Sequence, residues 1–266
     1  MITHHRAAPG IDVLTSATPI PGLGSIAINA FVFHGAEPLL VDTGAIVQRD
    51  EFMAALRAVI DPAQIRWVWL THPDPDHTGA LHQLLAENPH LRVVTTFLGT
   101  GIMGLSAPLP LERVHLLNPG QRLELADRTL RALRPPAFDN PTTTGFLDDR
   151  TGALCTSDCF GALLEAVPER ADELSPEALR QGQVLWASID APWVQRLDQA
   201  RFARELDTVR ALEPSLVLSS HLPPAPGTML EHFVGSLEAV SGAPPFVGPD
   251  QPALEQMLAQ MAGAPA

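Results

Sequence analysis

In the stretch "THPDPDHTG" four residues, His72, Asp74, Asp76 and His77, carry groups that bind metals or move protons, and Pro73 and Pro75 separate three of them. Proline holds φ near about −65° and pushes the residue before it toward extended conformations. Side chains at i, i+2 and i+4 of such a loop are expected on one side, converging before any ion arrives. Carboxylates this close repel, and burying them without a cation would raise at least one pKa. A divalent metal is the natural compensation. A polar turn with capping aspartates accounts for any one of these residues, but not for all four.

The flanking pattern says what holds the loop. "RWVWLTH" is a continuous apolar run, as in a strand buried on both faces, and it leads directly into the loop. The chemistry-bearing groups therefore sit at the C-terminal end of a central strand, where α/β sheets place ligands. Upstream, "IDVLT", "AINAFVFHG" and "PLLVDTG" read as strands, and "QRDEFMAALRAVI" has helical spacing ended by Asp61-Pro62. Downstream, "GALHQLLAEN" reads as a helix and "RVVTTF" as a strand. "TTFLGTGIMGL" lacks a lysine and a helix-entry pattern, which excludes a phosphate loop.

The second half begins again with strands: "RVHLLN", "QRLELA", "TLRALRPP", "TGFLDD" and "GALCTSD". Helices are expected over Pro176–Trp186 and Pro192–Leu212, with Asp190 capping the second, followed by a buried strand "SLVLSSH". Two halves of the same β-then-α order imply an α/β fold with two sheets face to face and helices outside, a four-layer αββα sandwich. Residues 1–266 are expected to form one domain, with 243–266 as a Pro/Ala-rich tail or docked helix.

Composition narrows the function classes. The chain has 266 residues, 45% hydrophobic and 18% charged, enough to bury a core. Its formal charge of −13, with 17 arginines and lysine absent, excludes non-specific attraction to nucleic acid or an anionic membrane surface. No apolar run has the length of a membrane span, and "MITHHRAAPG" lacks a signal-peptide core, so a cytoplasmic protein is expected. Cys155 and Cys159 make no disulfide scaffold and are read as inert buried thiols flanking Asp158.

"THPDPDHTG" resembles the H-x-H-x-D-H signature of the metallo-β-lactamase superfamily, and "LLVDTG", "TSDCFG" and "LSSHLPP" stand where that superfamily has its other motifs. The likeness spans about residues 11–235. It is closest to the oxygen-binding diiron branch, the flavodiiron proteins, which carry a carboxylate at the second motif position and a fourth motif like "S-D-x-F-G". The resemblance implies one metal on His72, Asp74 and a ligand from "AFDNPTTTG", a second on Asp76, His77 and His221, and Asp158 bridging them. The family has a histidine in that loop; this chain has none between His115 and His221, and Asp139 aligns best. Asp42, which ends a strand in "VDTG", takes the role of an acid orienting a ligating imidazole.

Three imidazoles and four carboxylates form an oxygen-rich set that suits iron first, with manganese or zinc as alternatives. The resemblance thus implies a diiron protein that binds or reduces O2 or NO, a small-molecule ligand. A flavodiiron reductase usually carries an FMN domain on the same chain; none is expected here, so electrons would come from a separate redox partner protein. A homodimer is compatible. The alternative is a binuclear hydrolase of a small ester, thioester or lactam. Its expected signs, histidines at position 74 and near 139, are missing. A third reading is a relic of the fold with a structural role.

Overall fold

The computed structural model describes residues 1–263; positions 264–266, the end of the expected C-terminal tail, lie outside the described residues. Seven strands run side by side in chain order in the first sheet: β1 (Ile2–Ala8), β2 (Ile11–Ile20), β3 (Gly24–Phe33), β4 (Leu39–Val41), β5 (Trp67–Trp69), β6 (Arg92–Thr95) and β7 (Val114–Leu116). β1 to β4 pair antiparallel, and β4 to β7 are parallel. The connections α1 (Arg49–Val59), α2 (Leu81–Glu87) and α3 (Phe97–Met103) supply the helices that parallel crossovers need.

The second sheet holds β8 (Arg122–Leu125), β9 (Arg128–Leu133), β10 (Gly145–Asp148), β11 (Ala153–Cys155), β12 (Leu216–Ser219) and β13 (Leu222–Pro226), in the order β13-β12-β11-β10-β9-β8. β11 and β12 are parallel, and the long excursion between them contains α4 (Pro176–Asp190) and α5 (Gln199–Arg210). α6 (Leu230–Val240) follows β13, and α7 (Gln251–Gly263) ends the described chain with Met257 beside Gly22.

The period of two along each strand sorts residues into three cores. In β5, Trp67 and Trp69 face the space between the sheets, whereas Val68 faces α1 and α2. In β4 the same holds for Leu39 and Val41 against Leu40. Across the gap, Ala153 and Cys155 of β11 face inward, and Leu154 packs with α4, α5 and α6. Three apolar layers separated by two sheets make the four-layer αββα sandwich. The inner layer is anchored by Trp69, whose ring lies 4.7 Å from Phe146, and its indole N–H donates to Thr144 Oγ1 at 3.2 Å.

Four expectations are corrected. "RVHLLN", read with the strands of the second half, is β7 at the edge of the first sheet. The helix expected over Pro192–Leu212 is broken: Pro192–Arg196 forms a 3-10 turn, and α5 starts only after Asp198, whose side chain accepts from Arg201 N. Asp190 is thus no cap; it is the last residue of α4. "TTFLGTGIMGL" does enter a helix, with Thr96 Oγ1 accepting from Gly99 N. β1 and β13 are strands that periodicity did not reveal; both lie at sheet edges, where prolines such as those of "LPPAP" are tolerated.

Candidate metal centre

β5 delivers the proline-spaced loop to the edge where the two sheets meet. Behind Pro73 and Asp74 the chain coils, His77 N and Thr78 N both donating to Asp74 O at 3.0 and 3.2 Å. That turn corrects the expectation that i, i+2 and i+4 share one side. His72 and Asp74 face one half of the site with Asp139, and Asp76 faces the other half with His77 and His221. Gly79, next in the loop, packs so tightly that a Cβ there would lie 2.5 Å from Gly44 O, so only glycine fits.

The other sheet contributes Asp158 from the turn after β11 and His221 from the tight turn between β12 and β13. The seam is held by Asn29 of β3, whose amide donates to Ser219 O at 2.9 Å and Leu222 O at 2.7 Å. Close packing continues behind His221: a Cβ on Gly161 would lie 2.6 Å from Trp186 Nε1 and 2.8 Å from His221 Cβ. Trp186 packs against His221 with ring centres 4.7 Å apart and the planes tilted by 56°, and it donates to Asp158 O at 3.1 Å.

Each imidazole has its Nδ1 engaged on the protein side. His77 Nδ1 meets Asp42 Oδ2 at 2.8 Å, His221 Nδ1 meets Ala27 O at 2.8 Å, and His72 Nδ1 meets Ser157 Oγ at 3.2 Å. Asp42, 1% exposed and at φ +57, also accepts from Thr71 N at 2.9 Å and Thr71 Oγ1 at 2.8 Å. The three Nε2 atoms are left pointing at carboxylates. His72 Nε2 lies 3.4 Å from Asp158 Oδ2 and 3.8 Å from both Asp74 and Asp139. His77 Nε2 and His221 Nε2 each lie 3.3 Å from Asp158 Oδ1 and 3.4 Å from Asp76. One oxygen of Asp158 thus faces each half.

The imidazoles and Asp158 are 1–3% exposed, whereas the side chains of Asp74, Asp76 and Asp139 are a quarter or more exposed and form the mouth. Electrostatics follow from that layering. Burial, the largest single influence, opposes charge on His77 and His221, but the carboxylates together outweigh it, Asp158 with Asp42 and Asp76 at His77 and Asp158 with Asp76 at His221; His77 is pushed well above the imidazole range and His221 to about 9. Burial likewise opposes ionisation of Asp158, but the three imidazoles hold it far below the usual carboxylate range. Asp139 is pushed up by burial, the pull of His72 notwithstanding, with Asp158 and Asp74 adding to the rise. Asp190 is pushed up to about 8, by burial first and then by Asp158 and Asp139.

The residues present fit a pair of cations. His77 Nε2 is 1% exposed and has no hydrogen-bond partner, an arrangement that costs free energy unless a ligand fills it. Nδ1 held by the protein and Nε2 free toward carboxylates is the pattern of metal-ligating histidines. Groups that could hold an ion are His72–Asp74–Asp139, Asp76–His77–His221, and His72–His77–Asp158 between them.

The structure thus brings all seven expected residues, and Asp42 behind them, to one place. Sequence reading missed four supporting residues: Asn140, which donates to Asp74 Oδ1 at 3.2 Å, and Ser157, Trp186 and Asp190. "FDNP" marks only a turn at Asn140, and nothing in the helical pattern singles out Trp186. Thr142 donates to Asn140 Oδ1 and Thr144 N to Thr71 O, so these threonines brace the loop. His34 is away from the site, paired with Asp12 at 2.6 Å. Cys155 and Cys159 are free and buried, and burial raises both thiols above their usual range, which keeps them unreactive.

Two facing sheets with helices outside and a His/Asp cluster on the seam define a metallo-β-lactamase-like protein with a binuclear-type site. The chain belongs to the family described as ODP family beta lactamase, whose model matches residues 26–221. It is similar to the diflavin flavoprotein A 1 of Synechocystis sp., 29% identical over 134 residues, which cover 50% of this chain and 23% of that protein. It is also similar to the type A flavoprotein of Rhodobacter capsulatus, 31% identical over 137 residues, covering 50% of this chain and 32% of the relative. The chain spans about a quarter of the length of the diflavin relative. Among solved structures, the rubredoxin oxygen:oxidoreductase of Desulfovibrio gigas superimposes with a TM-score of 0.78 at 17% identity, over 92% of this chain and 63% of that one. The flavodiiron protein of Giardia intestinalis gives 0.78 at 16% identity, over 91% and 60%.

Proposed function

We propose that this chain is a binuclear metal protein, with iron as the metal, that binds or reduces O2 or NO using electrons from a separate redox partner. The observation that carries the reading is Asp158, buried between the two halves with one carboxylate oxygen toward each. In this reading His72, Asp74 and Asp139 would hold one cation and Asp76, His77 and His221 the other, with Asp158 shared between them. Four carboxylates offset the charge of two divalent cations, so the filled site is close to neutral in its buried surroundings. When bound, such a pair supplies electrons to O2 or NO. The protein's own part is to fix the donors: Asp42, Ser157 and Ala27 O hold the three Nδ1 atoms so that each Nε2, once its proton is displaced, would face a cation.

The mouth formed by Asp74, Asp76 and Asp139 opens to solvent, whereas Trp186 and Gly161 close the rear. A small neutral molecule enters by the first side, and carboxylates there disfavour anions. Two of the proteins named above are flavoproteins, a third is a flavodiiron protein and the fourth a rubredoxin oxygen:oxidoreductase, which supports redox chemistry over hydrolysis. Carboxylates at 74 and 139, where a hydrolase would place imidazoles, point the same way. Among the described residues no helix is long and apolar enough to cross a membrane, and two buried free thiols suit the reducing cytoplasm in which we place the protein.

Anaerobic purification, metal analysis and an absorption spectrum before and after O2 test the proposal. Two irons per chain and a new near-ultraviolet band are expected. Two zincs with no response to O2 would refute it.

A further inference from the structure

Asp190 has a position that neither capping nor packing explains. It is the last residue of α4, where the helix dipole disfavours a negative charge. Its carboxylate has an oxygen within 4.8 Å of oxygens of both Asp139 and Asp158, two further negative groups. Among the described residues it makes no ion pair with an arginine, and the His221 and His77 imidazoles offset its charge only in part. A second observation lies on the same side. Gln183, 2% exposed, donates from Nε2 to Phe160 O at 3.1 Å, while its Oε1 has no partner. Gln183, Asp158 and Asp190 line a cavity of about 10 Å3, room for a single water-sized particle. Trp186 Nε1 is spent on Asp158 O and a Gln183 N–H on Phe160 O. Side chains carrying oxygen acceptors therefore line this space, as they do around a cation and the water it carries.

We infer that Asp190 is a further ligand of the cation held by His72, Asp74 and Asp139, supplying the donor for which this chain has no loop histidine. The inference rests on the binuclear reading above. Metal–oxygen bonds of about 2.0–2.2 Å place three ligands of one ion no more than about 3.6–3.8 Å from one another, so the Asp139, Asp158 and Asp190 oxygens, within 4.8 Å of one another, would draw together by up to about 1 Å. Rotation of the side chains supplies that distance. Asp190 approaches from the α4 side, opposite the mouth, and the first cation thereby gains a donor that the chain's seven-residue signature does not contain.

The test is anaerobic titration of the full chain with Fe2+, and separately with Co2+, in wild type, Asp190→Asn and Asp190→Glu. Wild type is expected to bind two equivalents. Asp190→Asn should bind one with unchanged affinity and the other at least tenfold more weakly, with an altered visible spectrum for that second Co2+. Asp190→Glu should recover part of the loss. The metal-free Asp190→Asn protein should melt at or above the wild-type temperature, because a repelled carboxylate has gone; a merely structural Asp190 would lower it, and that result overturns the inference. Two equivalents at wild-type affinity in Asp190→Asn, with an unchanged spectrum, would overturn it while leaving the binuclear reading intact. A wild type that binds no metal sinks both.

Discussion

Asp42 never touches the proposed cations, yet its replacement separates orientation from ligation. Its carboxylate accepts from Thr71 N, Thr71 Oγ1 and His77 Nδ1, all at 2.8–2.9 Å and at 1% exposure. Asp42→Ala strands three buried donors at about 1–3 kcal/mol each, so a loss of about 3–9 kcal/mol is expected, a large share of a total of about 5–15 kcal/mol. Asp42→Asn behaves differently. Asparagine tolerates the left-handed backbone at φ +57, and its carbonyl keeps one acceptor for Thr71, so the stability loss should be about 1–2 kcal/mol. Its amide nitrogen, however, would face His77 Nδ1 as a donor and favour the tautomer with the proton on Nε2. That proton occupies the lone pair meant for the cation. Urea denaturation of the metal-free proteins measures the first quantity. Chelator competition with Fe2+ or Co2+ measures the second, where one equivalent should weaken by about 10–100-fold. Wild-type metal affinity in Asp42→Asn would refute the idea that Asp42 sets the tautomer of His77.

Further outcomes follow from the same geometry. In the metal-free protein His221, raised to about 9, contributes stability that is full below the ordinary imidazole pKa of about 6.5 and is lost as pH rises through 9. Cations must displace the protons on His77 and His221, so affinity should climb about tenfold per pH unit for each proton displaced between pH 7 and 9, with proton release visible to an indicator dye in weak buffer. A pH-independent affinity would contradict the protonated imidazoles. Gly161→Ala forces a methyl against Trp186 Nε1 and His221 Cβ and should cost about 1–3 kcal/mol in thermal denaturation while weakening one metal equivalent. Trp69→Ala empties the inter-sheet core beside Phe146 and should lose about 3–5 kcal/mol with metal stoichiometry retained in the folded fraction, checked by denaturant titration and metal analysis.

How much of this was legible in the sequence depends on how local each signal is. The buried run "RWVWL" and the prolines of the next loop act within a few residues, so the strand, the loop and four donors were readable. Asp158 and His221 end strand-like runs and were placed by their motifs. Two edge strands, β1 and β13, were not legible: β13 carries three prolines and shows its nature only once β12 lies beside it. The break in the helix after Pro192 escaped because Asp198, six residues on, competes as a cap and wins. Asn140, Trp186 and Asp190 are ordinary turn or helix residues along the chain and acquire meaning only in space. The coil behind Asp74, which sends Asp76 to the far half, depends on backbone bonds to Asp74 O that a proline-spaced pattern does not announce.

The seam itself has a consequence. Because β5 and its loop belong to one sheet and Asp158 and His221 to the other, filling the centre would rivet two layers otherwise joined by apolar contact and a few hydrogen bonds such as those of Asn29 and Trp69. Ion uptake would then report on the alignment of the entire sandwich. A lesion that lets either sheet slip, even one far from any donor, would surface first as a lost ion and only later as a lost fold.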